Sequence, residues 1–305
     1  MSPNFSGAVF MVVSMAVFTV NDAILKYVGG EMNIGQAIFI RGLFATAIIG
    51  GIGVANGTLR IPRQALHPMV LLRVSADLAT TFAYMLALQH IPLGDTVAIY
   101  QALPLAVTLG ASLFLREYVG WRRWLAIAFG FLGVLIIAAP GGGSFNPYTI
   151  LLLGAVASSA ARDLLIRRIP REIPATLISF VNSCSVMVFG GLLVQPLGGW
   201  VTPTAGSVGV LALAAAMLAT GYQFFIMSTR LGEVSFIAPF RYTSLMWGLV
   251  LGALVFGEVP GVAMLAGASM ILASGLYTLH RERVVQRARN AAESAARSPP
   301  PGAAS

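Results

Sequence analysis

Only one cysteine, Cys184, occurs in 305 residues, and only 10% of the chain is charged, against about a quarter in a soluble domain. A lone cysteine excludes a disulfide framework and a thiolate metal site. Cys184 lies inside an apolar run and reads as an inert filler. The three histidines, His67, His90 and His280, are far apart, and no HExxH sequence accompanies them, so no metal site is expected. There is no GxxxxGK[ST] phosphate loop and no GxSxG nucleophile elbow. These absences leave a membrane-embedded enzyme, the alternative from another functional class, few residues to start from. No cofactor is expected.

What the chain has in abundance is apolar sequence. Hydrophobic residues make up 57% and the mean hydropathy is +0.82, values that exclude a soluble helical domain. A window of about 19 residues marks ten stretches: Ser6–Tyr27, Ile34–Ala55, Pro68–Gln89, Asp95–Leu115, Trp121–Ala139, Pro147–Ile166, Ala175–Gln195, Ala205–Ser228, Ser235–Phe256 and Val259–Leu279. Most reach the roughly 20 residues a bilayer core requires. The first stretch has no basic n-region and is followed at once by further spans, so it is read as a span and not as a removable signal peptide.

The net charge of +8 comes without a soluble scaffold for a nucleic-acid groove. Of 19 Lys and Arg, 14 fall in alternate short loops (Arg60 and Arg63; Arg116, Arg122 and Arg123; Arg167, Arg168 and Arg171; Arg230) or in the tail after His280. The rule that cytoplasmic loops collect basic residues orients the chain in a bacterial-type inner membrane with both termini cytoplasmic. Anionic lipid headgroups are the expected partners of these residues, and a monomer is compatible with this plan. Residues 281–305 start as a basic helix extension and are expected to end disordered.

Ten spans divide into two sets of five. Asp22, near the end of the first span, and Asp163, near the end of the sixth, are 141 residues apart; so are Glu117 and Glu258, and Gly120 and Gly261. Leu93-Gly94-Asp95 and Leu231-Gly232-Glu233 open spans four and nine alike. An odd number of spans per repeat inverts the second copy, a common plan of secondary transporters that work around a site near the midplane. The repeats are expected at residues 6–140 and 147–280.

The segments Ala87-Leu88-Gln89-His90-Ile91-Pro92-Leu93-Gly94-Asp95 leading to Pro104 and Glu117, and Ala238-Pro239-Phe240-Arg241-Tyr242-Thr243-Ser244 leading to Gly257-Glu258, resemble the drug/metabolite transporter superfamily in its ten-span, EamA-type branch. The resemblance covers about residues 6–280. It implies an all-α integral membrane fold, with two inverted five-helix repeats around a central cavity lined by spans one, three, four, six, eight and nine. It also implies transport of small metabolites, most readily export of apolar or aromatic amino acids, with riboflavin or another vitamin as the alternative.

Ionisable groups inside a bilayer are functional candidates. Asp22, Lys26, Arg41 and Asp95 lie towards the outer ends of their spans. Arg73, Asp77, Arg162, Asp163, Glu233 and Arg241 lie towards the inner ends. Two gates are expected, Asp22 with Arg41 or Lys26 outside and Asp77 or Asp163 with Arg73, Arg162 or Arg241 inside; permanent structural pairing is the alternative. The expected cavity wall between them is Tyr84, Tyr100, Gln101, Ser158, Ser159, Tyr222, Gln223, Tyr242, Ser244 and Trp247. Such a wall suits small amphipathic solutes with a ring or aliphatic side chain. With little Lys or Arg expected at mid-depth, sugar phosphates and nucleotide sugars are disfavoured. Proton coupling and facilitated diffusion both stay open.

Overall fold

The computed structural model describes residues 3–57, 66–116, 120–138, 146–170 and 172–297. Arg60, Arg63, Glu117, Arg171 and residues 298–305 lie outside the described residues. Ten helices among the described residues are long and apolar enough to cross a membrane. They are span 1 (Pro3–Val28), span 2 (Ile34–Ala55), span 3 (Pro68–His90), span 4 (Leu93–Phe114), span 5 (Trp121–Ala138), span 6 (Pro147–Leu165), span 7 (Ala175–Val194), span 8 (Ala205–Leu231), span 9 (Ala238–Phe256) and span 10, whose helix runs from Val262 to Arg297. An even number of crossings puts the start of span 1 and the end of span 10 on one face, called here the termini face; the other is the far face.

Several spans begin where local chemistry stops the chain from fraying. Asn33 accepts a hydrogen bond from the Gln36 amide, Asn146 from the Tyr148 amide and Thr204 from the Ser207 amide. His67 caps span 3 through the Met69 amide. Pro68 and Pro147 follow two of these caps, where the missing amide proton costs nothing because the first turn has no partner for it.

Spans 4 and 9 are each broken. Span 4 is helical over Leu93–Tyr100 and again over Leu103–Phe114, with Gln101 and Ala102 between and Pro104 in the first turn of the second piece. Span 9 opens through the 3-10 turn Ala238–Tyr242, which contains Pro239, before Thr243–Phe256. Pro104 and Pro239 sit at the breaks, where a missing backbone donor interrupts a helix. The Gln101 side chain donates to the Arg241 carbonyl at 3.0 Å and also to the Ser244 hydroxyl. The freed backbone of one break is thus satisfied by a side chain from the other.

The helix pairing follows the inverted repeat. Span 1 packs along span 8 and span 3 along span 6; span 2 pairs with span 7 and span 5 with span 10. Exchanging 1 with 6, 2 with 7, 3 with 8, 4 with 9 and 5 with 10 turns this set of pairs into itself, and each pair joins one half to the other. In lipid there is no hydrophobic force between helices, so close approach relies on small residues and interhelical hydrogen bonds. Ser14 donates to the Gly221 carbonyl at 2.8 Å and Ser228 to the Gly7 carbonyl at 2.7 Å, stitching span 1 to span 8.

On spans 5 and 10 a Cβ at Gly133 would lie 2.6 Å from the Gly267 carbonyl oxygen, and one at Gly267 would strike the Gly133 carbonyl. Gly248 rests on Val97 across the contact between spans 9 and 4. Glycines thus line both of these helix contacts. Gly267→Val should lower the unfolding midpoint in detergent, an overpacking cost of about 1–3 kcal/mol. Gly154→Ala, where an added Cβ meets nothing within 4 Å, should be neutral or slightly stabilising in the same assay.

Candidate functional site

A polar column runs between the two halves from the far face into the membrane. At its mouth, Lys26 Nζ lies 2.7 Å from Glu258 Oε1 and donates to the Ile91 carbonyl at 2.6 Å. Its ammonium also sits over the Phe256 ring. Glu258 Oε2 accepts the Leu93 amide at 2.7 Å, one of the orphan donors at the start of span 4. Four chain segments, the ends of spans 1, 3 and 9 and the start of span 4, are thereby tied together. Beside them is an open depression of about 630 Å³, lined by Lys26, Gln89, His90, Leu197 and Phe256 among others.

One to two turns deeper, the Tyr84 hydroxyl donates to Asp22 Oδ2 at 2.7 Å and Asn21 donates to Oδ1 at 3.2 Å. The Tyr84 ring meets Tyr100 edge to face at 4.9 Å. The Tyr100 hydroxyl bonds Ser159 at 2.7 Å, and Ser159 donates to Thr80 at 3.2 Å. Ser159 and Thr80 are buried, so hydroxyls satisfy one another where water is scarce. The column ends at Arg162, which reaches Asp77 at 2.6 Å and Asp163 at 3.0 Å; Asn182 of span 7 donates to the second oxygen of Asp77 at 2.6 Å.

Tyr222 stands on span 8 with its ring edge-on to Phe18 at 5.1 Å. It is 55% exposed, yet the charges of Arg162, Asp77, Arg73 and Arg41 all act on its hydroxyl.

The residues expected from sequence divide accordingly. Tyr84, Tyr100, Gln101, Ser159, Tyr222 and Ser244 belong to this central assembly. Tyr242 does not: it is buried, and its hydroxyl presses on Gly275 of span 10, where glycine alone leaves room. Trp247 packs with Met11, Met15 and Ile237. Ser158 and Gln223 make no side-chain hydrogen bond among the described residues. Glu233 is exposed, and its amide donates to Asn4.

The outer charges are paired differently from the expectation, whereas the inner pairing of Arg162 with Asp77 and Asp163 is among those expected. Lys26 meets Glu258 and not Asp22, while Asp22 is held by Tyr84 and Asn21. Arg162 takes both Asp77 and Asp163. Arg241 is exposed and lies over the Phe225 ring. Arg41 is buried and Arg73 half-buried, and neither forms an ion pair among the described residues.

Sequence reasoning missed Glu258, Asn182, Asn21 and Thr80 as partners. Glu258 had left a signal, the matched spacing with Glu117. Asn182 had none, because span 7 is outside the helices the resemblance assigned to the cavity.

Ten spans paired across an inverted repeat, with broken helices and a polar column between the halves, define a multi-pass membrane transporter for small metabolites. The profile of the EamA-like transporter family matches residues 5–139. A riboflavin transporter of Vibrio cholerae is 27% identical over 94% of this chain and 97% of its own. An S-adenosylmethionine uptake transporter of Rickettsia prowazekii is 22% identical over 91% and 94%. A pseudopaline exporter of Pseudomonas aeruginosa is 25% identical over 88% and 93%. A solved crystal structure shares the fold with a TM-score of 0.63 at 16% identity, covering 92% of this chain and 98% of that one. The first half of the chain thus matches the EamA-like transporter family, and the ten spans fit a transporter of the drug/metabolite transporter superfamily.

Breaking the buried Arg162–Asp77 pair leaves a guanidinium short of a partner. Asp77→Asn should cost about 3–5 kcal/mol, and Asp163→Asn, whose side chain is 40% exposed, under about 1 kcal/mol. Unfolding of the two variants in matched detergent checks the order.

Proposed function

We propose that this protein carries a flat, ring-bearing neutral metabolite of the riboflavin class by alternating access. The observation that carries this reading is the aromatic wall of the central assembly: Tyr84 and Tyr100 meet edge to face with their hydroxyls on Asp22 and Ser159, and Tyr222, its ring braced by Phe18, is more than half exposed. An aromatic face with polar groups at its rim suits a conjugated heterocycle. The full-length likeness to riboflavin transporters supports the same class.

A second reading, export of apolar or aromatic amino acids, draws on the opposition of Asp22 and Arg41, which act on each other without forming an ion pair among the described residues. An ammonium and a carboxylate of one solute match such a pair of charges.

The proposal places the protein in a bacterial inner membrane with the termini face cytoplasmic, so that the basic loops lie on that side. It takes residues 6–140 and 147–280 as the two repeats, 281–305 as a cytoplasmic tail and the monomer as the working unit. The Lys26–Glu258 contact then closes the outer mouth, and the Asp77–Arg162–Asp163 cluster acts on the inner side.

Counterflow in proteoliposomes tests the substrate. Labelled riboflavin should exchange against internal riboflavin. Exchange of labelled phenylalanine that riboflavin does not inhibit would replace the first reading with the second. An imposed pH gradient separates facilitated diffusion, which should not respond, from proton exchange.

The mouth is tested by substitution. Lys26→Met and Glu258→Gln should each slow exchange, and the swap Lys26→Glu with Glu258→Lys should recover part of the rate. Single variants exchanging at the wild-type rate would remove the gate role.

A further inference from the structure

Of the four carboxylates in the polar column, three are held by cations. Asp77 and Asp163 are held by the Arg162 guanidinium, and Glu258 by the Lys26 ammonium together with the Leu93 amide. These donors have no lone pair to offer, so a proton added to any of the three would break an ion pair. Asn182 beside Asp77 has a free carbonyl oxygen, but a proton there would still cost the contact with Arg162.

Asp22 is held differently. Its partners are the Tyr84 hydroxyl on Oδ2 at 2.7 Å and the Asn21 side-chain amide on Oδ1 at 3.2 Å, and it forms no ion pair among the described residues. A hydroxyl and a carboxamide can each donate and accept. Asn21 is only 3% exposed, and its carbonyl oxygen is enclosed without a hydrogen-bond partner. An amide with one end on Asp22 and the other on nothing takes its orientation from Asp22 alone. When the carboxylate is ionised, the Asn21 nitrogen donates to Oδ1. When Oδ1 carries a proton, a half-turn of the amide lets the Asn21 oxygen accept that O–H, and Tyr84 goes on donating to Oδ2. The carboxylate is neutralised and both hydrogen bonds are kept.

The surroundings suit a group that gains and loses a proton. Span 1 packs against spans 3, 4, 8 and 9, which carry Tyr84, Asp95 and Tyr100, Tyr222, and Arg241. Arg241 lies over the Phe225 ring, and Lys26 of span 1 itself is taken up by Glu258. Arg41 of span 2 acts on Asp22 through its charge without reaching ion-pair distance. With no cation in contact, the ionised form bears much of the cost of a charge in the membrane, and protonation relieves it. Asp22 is half-buried and about 9 Å below the far-face end of span 1, one turn under Lys26, which lines the open depression. Protons thus reach it from the far face. Towards the termini face the hydroxyl chain is cut, because Tyr84 and Tyr100 meet through their rings and not through a hydrogen bond.

We propose that Asp22 is the proton-binding site of a proton-coupled carrier, with Asn21 as the amide that turns to receive either protonation state. The assignment rests on the small-metabolite carrier reading above and adds to it the ion that drives transport. Tyr84 is a positioning residue, which holds Asp22 in both states and joins it through Tyr100 to the aromatic wall. The proton crosses with the carrier's change of state and not along a wire of hydroxyls.

The test uses the full-length protein in two arms. In solute-free protein in detergent, infrared titration from about pH 8 to 5, the range in which folded proteins are most stable, should reveal a protonated-carboxyl band. The band should be absent in Asp22→Asn and present in Asp163→Asn. Tyr84→Phe removes a bond that is stronger to the ionised form and should move the midpoint about one pH unit higher. Asn21→Leu removes the acceptor of the new O–H and should move the band to higher frequency. In proteoliposomes under an imposed pH gradient, whichever of labelled riboflavin and phenylalanine exchanges should show net flux that follows the gradient, and in Asp22→Asn the gradient should have no effect on it. The direction of that flux assigns symport or antiport. The site is overturned if no band depends on Asp22, if the wild-type carrier ignores the gradient, or if Asp22→Asn still answers it. Where Asp22→Asn yields no folded protein, the Tyr84→Phe shift decides. Exchange of neither solute sinks the substrate reading alone, since the infrared titration needs no solute. Exchange of riboflavin with no band from Asp22 sinks the proton site and leaves the substrate reading.

Discussion

A backbone carbonyl or amide in the hydrocarbon core has no water to turn to, and each one left unpaired costs several kcal/mol. Everything distinctive about this fold is arranged around that constraint. Eight spans meet it as uninterrupted helices. Spans 4 and 9 are interrupted, and they can be so because their breaks meet each other: Gln101 from one satisfies the Arg241 carbonyl of the other. Irregular backbone is thus confined to the place where the two halves cross, away from lipid, which is also where a transporter needs polar groups at mid-depth.

The pairing of spans has a mechanical consequence. Spans 1 with 8 and 3 with 6 join opposite halves, as do 2 with 7 and 5 with 10. Glycines on spans 5 and 10 bring backbones into direct contact, so that pair resists sliding. The serine-to-carbonyl bonds of spans 1 and 8 hold another pair. What remains adjustable is the group of contacts made by side chains alone: Lys26 with Glu258 at the mouth, Tyr84 with Asp22 below it, and Arg162 with its two aspartates. These are charge-assisted contacts that can be exchanged for water or solute at modest net cost, unlike a glycine interface, which has no alternative partner.

The charge pattern adds a chemical asymmetry to this mechanical one. Carboxylates in the column are satisfied by the protein itself, through Tyr84, Asn21, Asn182 and Arg162. Arg41 is buried without an ion pair among the described residues, and the Nε of Arg73 is enclosed without an acceptor.

By itself the sequence determined the membrane class, the number of spans, the alternation of basic loops and the five-plus-five division. These are properties of composition and spacing along the chain: about 20 apolar residues to cross a bilayer, and a shift of 141 residues linking Asp22 to Asp163 and Glu117 to Glu258. It also drew attention to Tyr84, Tyr100, Gln101 and Ser159, which the fold brings together. Only the tertiary structure decided who pairs with whom. Lys26 reaches Glu258, 232 residues away, because span 1 lies against span 9. Tyr242 faces Gly275 because the rotation of a broken helix cannot be read from its residues. Arg162 reaches Asp77 because span 6 packs along span 3. Depth along a helix is a one-dimensional quantity; the direction in which a side chain leaves the helix, and the neighbour it meets there, are set by packing between helices distant in sequence.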